Sequence, residues 1–147
     1  MNIVLTPIGL IHTPFKTPVE TPIQSSRSHA EGKVKVYPEF VEGLRDIEAF
    51  THLYLIYHLH QADQVHLWVE PFLDDQKHGI FATRHPSRPN HIGISIVQLV
   101  SRQDNYLFIC GVDMFDQSPL LDIKPYVPDF DLREKVRSGW YENRSKV

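Results

Sequence analysis

Thr51-His52-Leu53-Tyr54-Leu55-Ile56-Tyr57-His58-Leu59-His60 is the stretch that decides the fold. Side chains alternate along an extended chain, so Leu53, Leu55, Tyr57 and Leu59 share one face and Tyr54, Ile56, His58 and His60 the other. A strand with one apolar face follows. Downstream, Ile92–Val100 and Tyr106–Val112 are two further apolar runs, split by Ser101-Arg102-Gln103-Asp104-Asn105, a hairpin signal. Upstream, Lys33-Val34-Lys35-Val36-Tyr37 alternates, and Ile3–Ile11 is a β-branched run interrupted at Pro7 and Gly9. Val65–Phe72 reads as one more strand. Pro38 opens a short helix, with Phe40, Val41, Leu44 and Ile47 at helical spacing and Gly43 weakening it. Thr13–Glu31, rich in Pro, Ser and Thr, reads as a long loop. Many strands and little helix predict a mainly β domain, a barrel or a sandwich. Residues 1–130 form that single domain, and residues 131–147 a charged tail in which Leu132–Arg137 has room for a helical turn or two.

A chain of 147 residues is long enough to bury a core. No run approaches the roughly 18 apolar residues that span a membrane. The N-terminus lacks a charged, cleavable leader, and Cys110 stands alone, so the expectation is a cytoplasmic protein without an internal disulfide. Net charge is −3, with the tail at +2 and the remainder at −5. Any contact with nucleic acid must therefore be local.

Two stretches carry polar chemistry. From Lys77 to His91 there are three Lys or Arg residues, three His and no acid, with Pro86 and Pro89 stiffening the segment. Arg84 and Arg88 thus sit on a rigid loop suited to a carboxylate or a phosphate. The second stretch, Asp113 to Tyr126, holds three carboxylates, Lys124 and Tyr126, and reads as a loop after an apolar strand. Asp122 and Lys124 are two apart, so in extended backbone they share a face and can pair. Seven dispersed glycines leave no phosphate-cradling glycine loop. The nine histidines include His58 and His60 on one strand face, yet no metal motif surrounds them.

Taken together, Phe81-Ala82-Thr83-Arg84, Arg88-Pro89-Asn90, Ile92-Gly93-Ile94-Ser95 and Asp122-Ile123-Lys124-Pro125-Tyr126 resemble the TsaA-like (TrmO, YaeB-like) family. The resemblance runs from Ile8 to about Pro128. It implies a β-barrel enzyme that uses S-adenosylmethionine (SAM) to methylate N6 of threonylcarbamoyl-adenosine at tRNA position 37, and a homodimer with its cofactor pocket near the subunit interface. It carries cofactor contacts onto Pro22-Ile23-Gln24, His60-Gln61, Arg84, Ile94 and Asp116-Gln117-Ser118-Pro119, and places Asp122, Lys124 and Tyr126 at the reacting centre. The chain departs from the family at His91, where Pro is usual, at Gln117-Ser118, where Gly-Thr is common, and in having no room for the extra C-terminal domain of longer members.

SAM needs a carboxylate anchor, for which Arg84 is suited, and an apolar cleft for adenine, which Ile94 and Leu120 are expected to form. Asp116 is expected to accept a hydrogen bond there. Because the acceptor N6 is a weak nucleophile, Asp122 is expected to take its proton, with Lys124 orienting the carboxylate and Tyr126 placing the base. Arg88 is left to tRNA or to structure. The alternatives are methylation of another RNA or a small molecule, and a barrel that binds nucleotide or RNA without chemistry.

Overall fold

The computed structural model describes residues 1–17 and 21–147. Residues 18–20 of the expected Thr13–Glu31 loop lie outside the described residues. Six strands close into an antiparallel barrel in the order β1-β2-β7-β6-β3-β8: β1 Gly9–His12, β2 Glu31–Val36, β3 His52–His58, β6 Ile92–Gln103, β7 Tyr106–Cys110 and β8 Ser118–Pro125. β4 Trp68–Val69 and β5 His78–Gly79 form a separate two-stranded ribbon. The barrel alternative is therefore the one realised.

The core comes from the alternation. Ile11, Val34, Val36, Leu53, Leu55, Val97, Leu107, Ile109 and Leu120 all point inward and are buried. Each such side chain contributes about 1.5–3 kcal/mol relative to exposure. Gly93 lies opposite Tyr57, where an added Cβ would come 2.6 Å from the ring, so the inward Tyr57 requires glycine there.

Several expectations are corrected. The Ile3–Ile11 run is strand only from Gly9, and its Ile3, Val4 and Leu5 are exposed ahead of it. The helix from Pro38 is a 3₁₀ stretch, Pro38–Leu44, separated from a second one, Ile47–Ala49, by Asp46 at φ 73°. Of Val65–Phe72 only two residues are strand, because Val65, Leu67, Trp68 and Phe72 face outward with no sheet to cover them. The Asp113–Tyr126 loop instead contains β8, whose prolines lie at positions 119 and 125, near its ends. Leu132–Arg137 is not helical. The helical turns are α1, Pro128–Asp131, and the 3₁₀ turn Gly139–Asn143.

The tail is docked onto the barrel's excursion. The Trp140 ring stacks on His78 at 4.7 Å, and its Nε1–H donates to Ala82 O at 2.7 Å. The Ser145 N–H donates to Asp74 Oδ1 at 3.1 Å. Among the described residues, no helix is long and apolar enough to cross a membrane.

Candidate functional site on the outer face of the barrel

β3 lies between β6 and β8, and its outward residues align with theirs in rows. Ile94, Ile56 and Asp122 form one row, and Ile96, Tyr54 and Lys124 the next. Gln98 and His52 form a third, completed by Tyr126, whose N–H bonds to His52 O at 3.0 Å. The Tyr126 ring meets Tyr54 at 5.8 Å and His52 at 6.5 Å. With strands about 4.8 Å apart, Ile94 and Asp122 lie on the order of 10 Å from each other across one surface. Lys124 Nζ sits 3.3 Å from Asp122 Oδ2, which is the pairing expected from their spacing. Asp122 Oδ1 also accepts the Ile123 N–H at 2.8 Å. A bulge follows at once: Ile56 pairs with Asp122 but Tyr57 with Leu120, so Leu121 is the extra residue. Bulges of this kind re-aim a side chain.

A cavity of about 550 Å³ opens beside these rows, walled by Gln24, Ser25, Tyr54, Arg84, Ile94 and Ile96 among others. Arg84 Nη1–H donates to Gln24 Oε1 at 2.8 Å, joining the 80s loop to the segment before the 3₁₀ turn Ser25–Arg27. The loop is stiff, though Arg88 supplies much of the stiffness from inside. Its Nη1 reaches the carbonyls of Thr83 at 2.7 Å, Ile80 at 3.2 Å and His85 at 3.3 Å. Of the two roles left open for Arg88, these bonds supply the structural one.

One wall of the cavity is an unpaired sheet edge. β7 pairs with β6 only as far as Cys110 opposite Gln98. Gly111, at φ 92°, then turns the chain away and gives its N–H to Ala30 O at 2.8 Å. Leu99 N–H bonds to Thr51 O, and His91 O accepts from Leu59, so the odd-numbered residues of β6 bond toward β3. The N–H and C=O of Ile94 and Ile96 therefore point to the other side, where no strand among the described residues meets them.

Beneath the cavity lies a buried chain that the sequence reading did not single out. Tyr57 Oη–H donates to Ser95 Oγ at 2.9 Å, and Ser95 Oγ–H donates to Asp113 Oδ1. Burial pushes the Asp113 carboxyl up to about 6, against the lowering effects of Ser95, the Ser25 N–H and the Arg84 charge. Burial likewise raises the Tyr57 phenol well above its ordinary value. The available signal was Ser95, a small hydroxyl at an inward position of an apolar strand.

The other expected cofactor residues lie outside the cavity wall. Pro22 and the exposed Ile23 precede Gln24. His60 and the exposed Gln61 follow β3. Burial holds His60 below the usual histidine value, and its Nδ1 is buried without a partner among the described residues. Asp116 Oδ1 accepts the Thr13 N–H at 3.0 Å. Gln117, at φ 67°, turns the chain toward β8. Ser118 Oγ–H closes the turn on Phe115 O at 2.6 Å, and Pro119 pairs with Leu10. Leu120 is corrected outright: it is fully buried inside the barrel and cannot form an adenine cleft with the outward Ile94. Tyr54 and Ile96 stand beside Ile94 instead.

Residues 10–132 match the family model of the tRNA-methyltransferase O N-terminal domain. The chain belongs to the TrmO family. A probable S-adenosyl-L-methionine-binding protein of Pyrococcus abyssi is 60% identical over 137 residues, 92% of this chain and 74% of that protein. The tRNA (adenine(37)-N6)-methyltransferase of Mus musculus is 33% identical over 138 residues, 88% of this chain and 32% of that enzyme. The crystal structure of TrmO from Pseudomonas aeruginosa superposes with a TM-score of 0.80 at 36% identity, covering 95% of this chain and 62% of that one. This chain thus spans less than two thirds of that TrmO and about a third of the mouse enzyme, while sharing the TrmO barrel.

Proposed function

We propose that this chain binds SAM in the cavity beside Arg84 and methylates N6 of threonylcarbamoyl-adenosine at tRNA position 37. The observation that carries the reading is the row arrangement on β6, β3 and β8. It sets Ile94 of the cavity and the Asp122–Lys124 pair on one continuous face. Names of relatives point the same way, since the Pyrococcus protein is called SAM-binding and the mouse enzyme a tRNA adenine methyltransferase.

The cavity fits the cofactor's chemistry. Arg84 offers a guanidinium for a carboxylate, while Tyr54, Ile94 and Ile96 offer an apolar bed for a base. When bound, SAM supplies an electrophilic methyl group on a sulfonium. The protein's contribution is alignment and proton handling. Asp122 accepts the proton from the substrate's N6–H, Lys124 orients that carboxylate, and Tyr126 offers its ring as a platform for the base. Pro22, Ile23, His60, Gln61 and Asp116–Pro119 act around this centre, shaping the loops that frame it.

The reading includes a homodimer, supported by the exposed Val65, Leu67, Trp68, Phe72 and Phe81 on the excursion that carries Arg84. It also includes a cytoplasmic location, which goes with a tRNA substrate. The body's charge of −5 favours a second reading for the acceptor, another RNA or a small molecule methylated by the same machinery. The test is methyl transfer from labelled SAM into total tRNA, run beside titration calorimetry with SAM and with ATP as control. Label in tRNA supports the first reading. SAM binding without label in tRNA supports the second, and no SAM binding removes both.

A further inference from the structure

The free edge of β6 presents something the side chains do not. Ile94 and Ile96 each turn a backbone N–H and C=O into the cavity wall, with no partner from β7, from the Ser25–Arg27 turn or from any described side chain. Both residues are also about two-fifths exposed, so their side chains and the Tyr54 ring flank an accessible slot. Backbone polar groups at a protected edge persist when water or a ligand satisfies them. Two carbonyl and N–H groups in register along a strand form a fixed donor–acceptor pattern, which a flat group with the complementary edge can read.

We infer that this edge reads the base of the bound nucleoside, Ile94 C=O accepting from an exocyclic amino group and Ile96 N–H donating to the adjacent ring nitrogen. The pattern selects a 6-aminopurine. A 6-oxopurine reverses both groups, placing carbonyl against carbonyl and N–H against N–H. Selectivity for the adenine base thus resides in the backbone, made available because Gly111 ends the β6–β7 ladder early. This rests on the proposal that the cavity holds SAM, and it adds which groups distinguish that ligand's base.

The experiment is titration calorimetry of the full chain with S-adenosylhomocysteine and its inosine counterpart, S-inosylhomocysteine. These ligands differ only at the base edge, so no variant has to fold. The expected result is about 10–100-fold tighter binding of the adenine compound, the loss of two hydrogen bonds. Equal affinity overturns the inference while leaving the SAM pocket standing. Binding of neither removes the pocket reading and the inference with it. Ile96→Pro deletes one edge N–H without touching a bond to β3, because that N–H points away from the ladder. It should lower the adenine-to-inosine ratio about tenfold or less. Ile96→Ala keeps the N–H and should keep the ratio, and a ratio lost in Ile96→Ala but kept in Ile96→Pro contradicts backbone reading.

Discussion

Arg84 donates from Nη1 to Gln24 Oε1 at 2.8 Å, tying together two loops whose residues are sixty apart in the chain. This bond spends one face of the guanidinium on holding the cavity's rim and leaves its other donors for a ligand. Arg84→Ala is expected to weaken SAM binding by about 10–100-fold, the worth of a charge-assisted hydrogen bond. Gln24→Ala, which loosens the rim without removing the charge, should cost less. Calorimetry on the two variants checks both the direction and the order.

Arg88 serves the same loop from within. Three carbonyls converge on its Nη1. Arg88→Ala should lower folding stability by about 1–3 kcal/mol, because it leaves those acceptors unsatisfied. The salt dependence of tRNA binding should keep its slope, whereas loss of a phosphate contact would flatten it by about one unit. Chemical denaturation and binding across a salt series separate the two roles.

How far the sequence could be read depended on whether a signal was local. The Ile92–Val112 hairpin was legible from its two apolar runs, although in β6 Ile92, Ile94 and Ile96 face outward while Ser95 and Val97 are buried. Alternation in Leu53–Leu59 marked the inner face correctly, since period-2 patterning and burial agree there. Asp122 and Lys124 were legible as a same-face pair for that reason. β8 was hidden because Pro119, Asp122, Lys124 and Pro125 give it the composition of a loop; its partners β1 and β3 supply what its own residues lack. The Tyr57–Ser95–Asp113 chain joins three distant segments, so no spacing could announce it. The docked tail depends likewise on Trp140 meeting His78 and Ala82 across the fold. Arg88 illustrates the converse, since its motif was visible but its inward direction was not.

Asp113 makes stability depend on pH. Its folded value is about 6 against an ordinary 3.8. The folded state therefore holds its proton more tightly than the unfolded chain. That stabilisation is fully present below the unfolded value and is lost as pH rises through about 6. Asp113→Asn should be more stable than the wild type at pH 8, by on the order of 1–3 kcal/mol, with the gap closing toward pH 4. Thermal melts across this range test the sign, and a gap that widens in acid would contradict it. A buried carboxylate kept at such a cost is more typical of functional sites than of plain cores.

Gly93→Ala should destabilise by about 1–3 kcal/mol, because the new methyl must displace the Tyr57 ring. The displaced ring would also release its hydroxyl from Ser95. Melting temperature and the Tyr57 hydroxyl exchange rate report the two effects.

The central claim is that the Asp122 face of the barrel methylates N6 of threonylcarbamoyl-adenosine with SAM from the Arg84 cavity. Single-turnover transfer of labelled methyl at saturating SAM, followed by nucleoside analysis of the tRNA, tests it most directly in wild type and Asp122→Asn. The predicted result is label in that one nucleoside for the wild type. Asp122→Asn should show a rate lower by about 10²-fold or more, with SAM affinity intact. Label in a different nucleoside, or an Asp122→Asn rate equal to wild type, would contradict it.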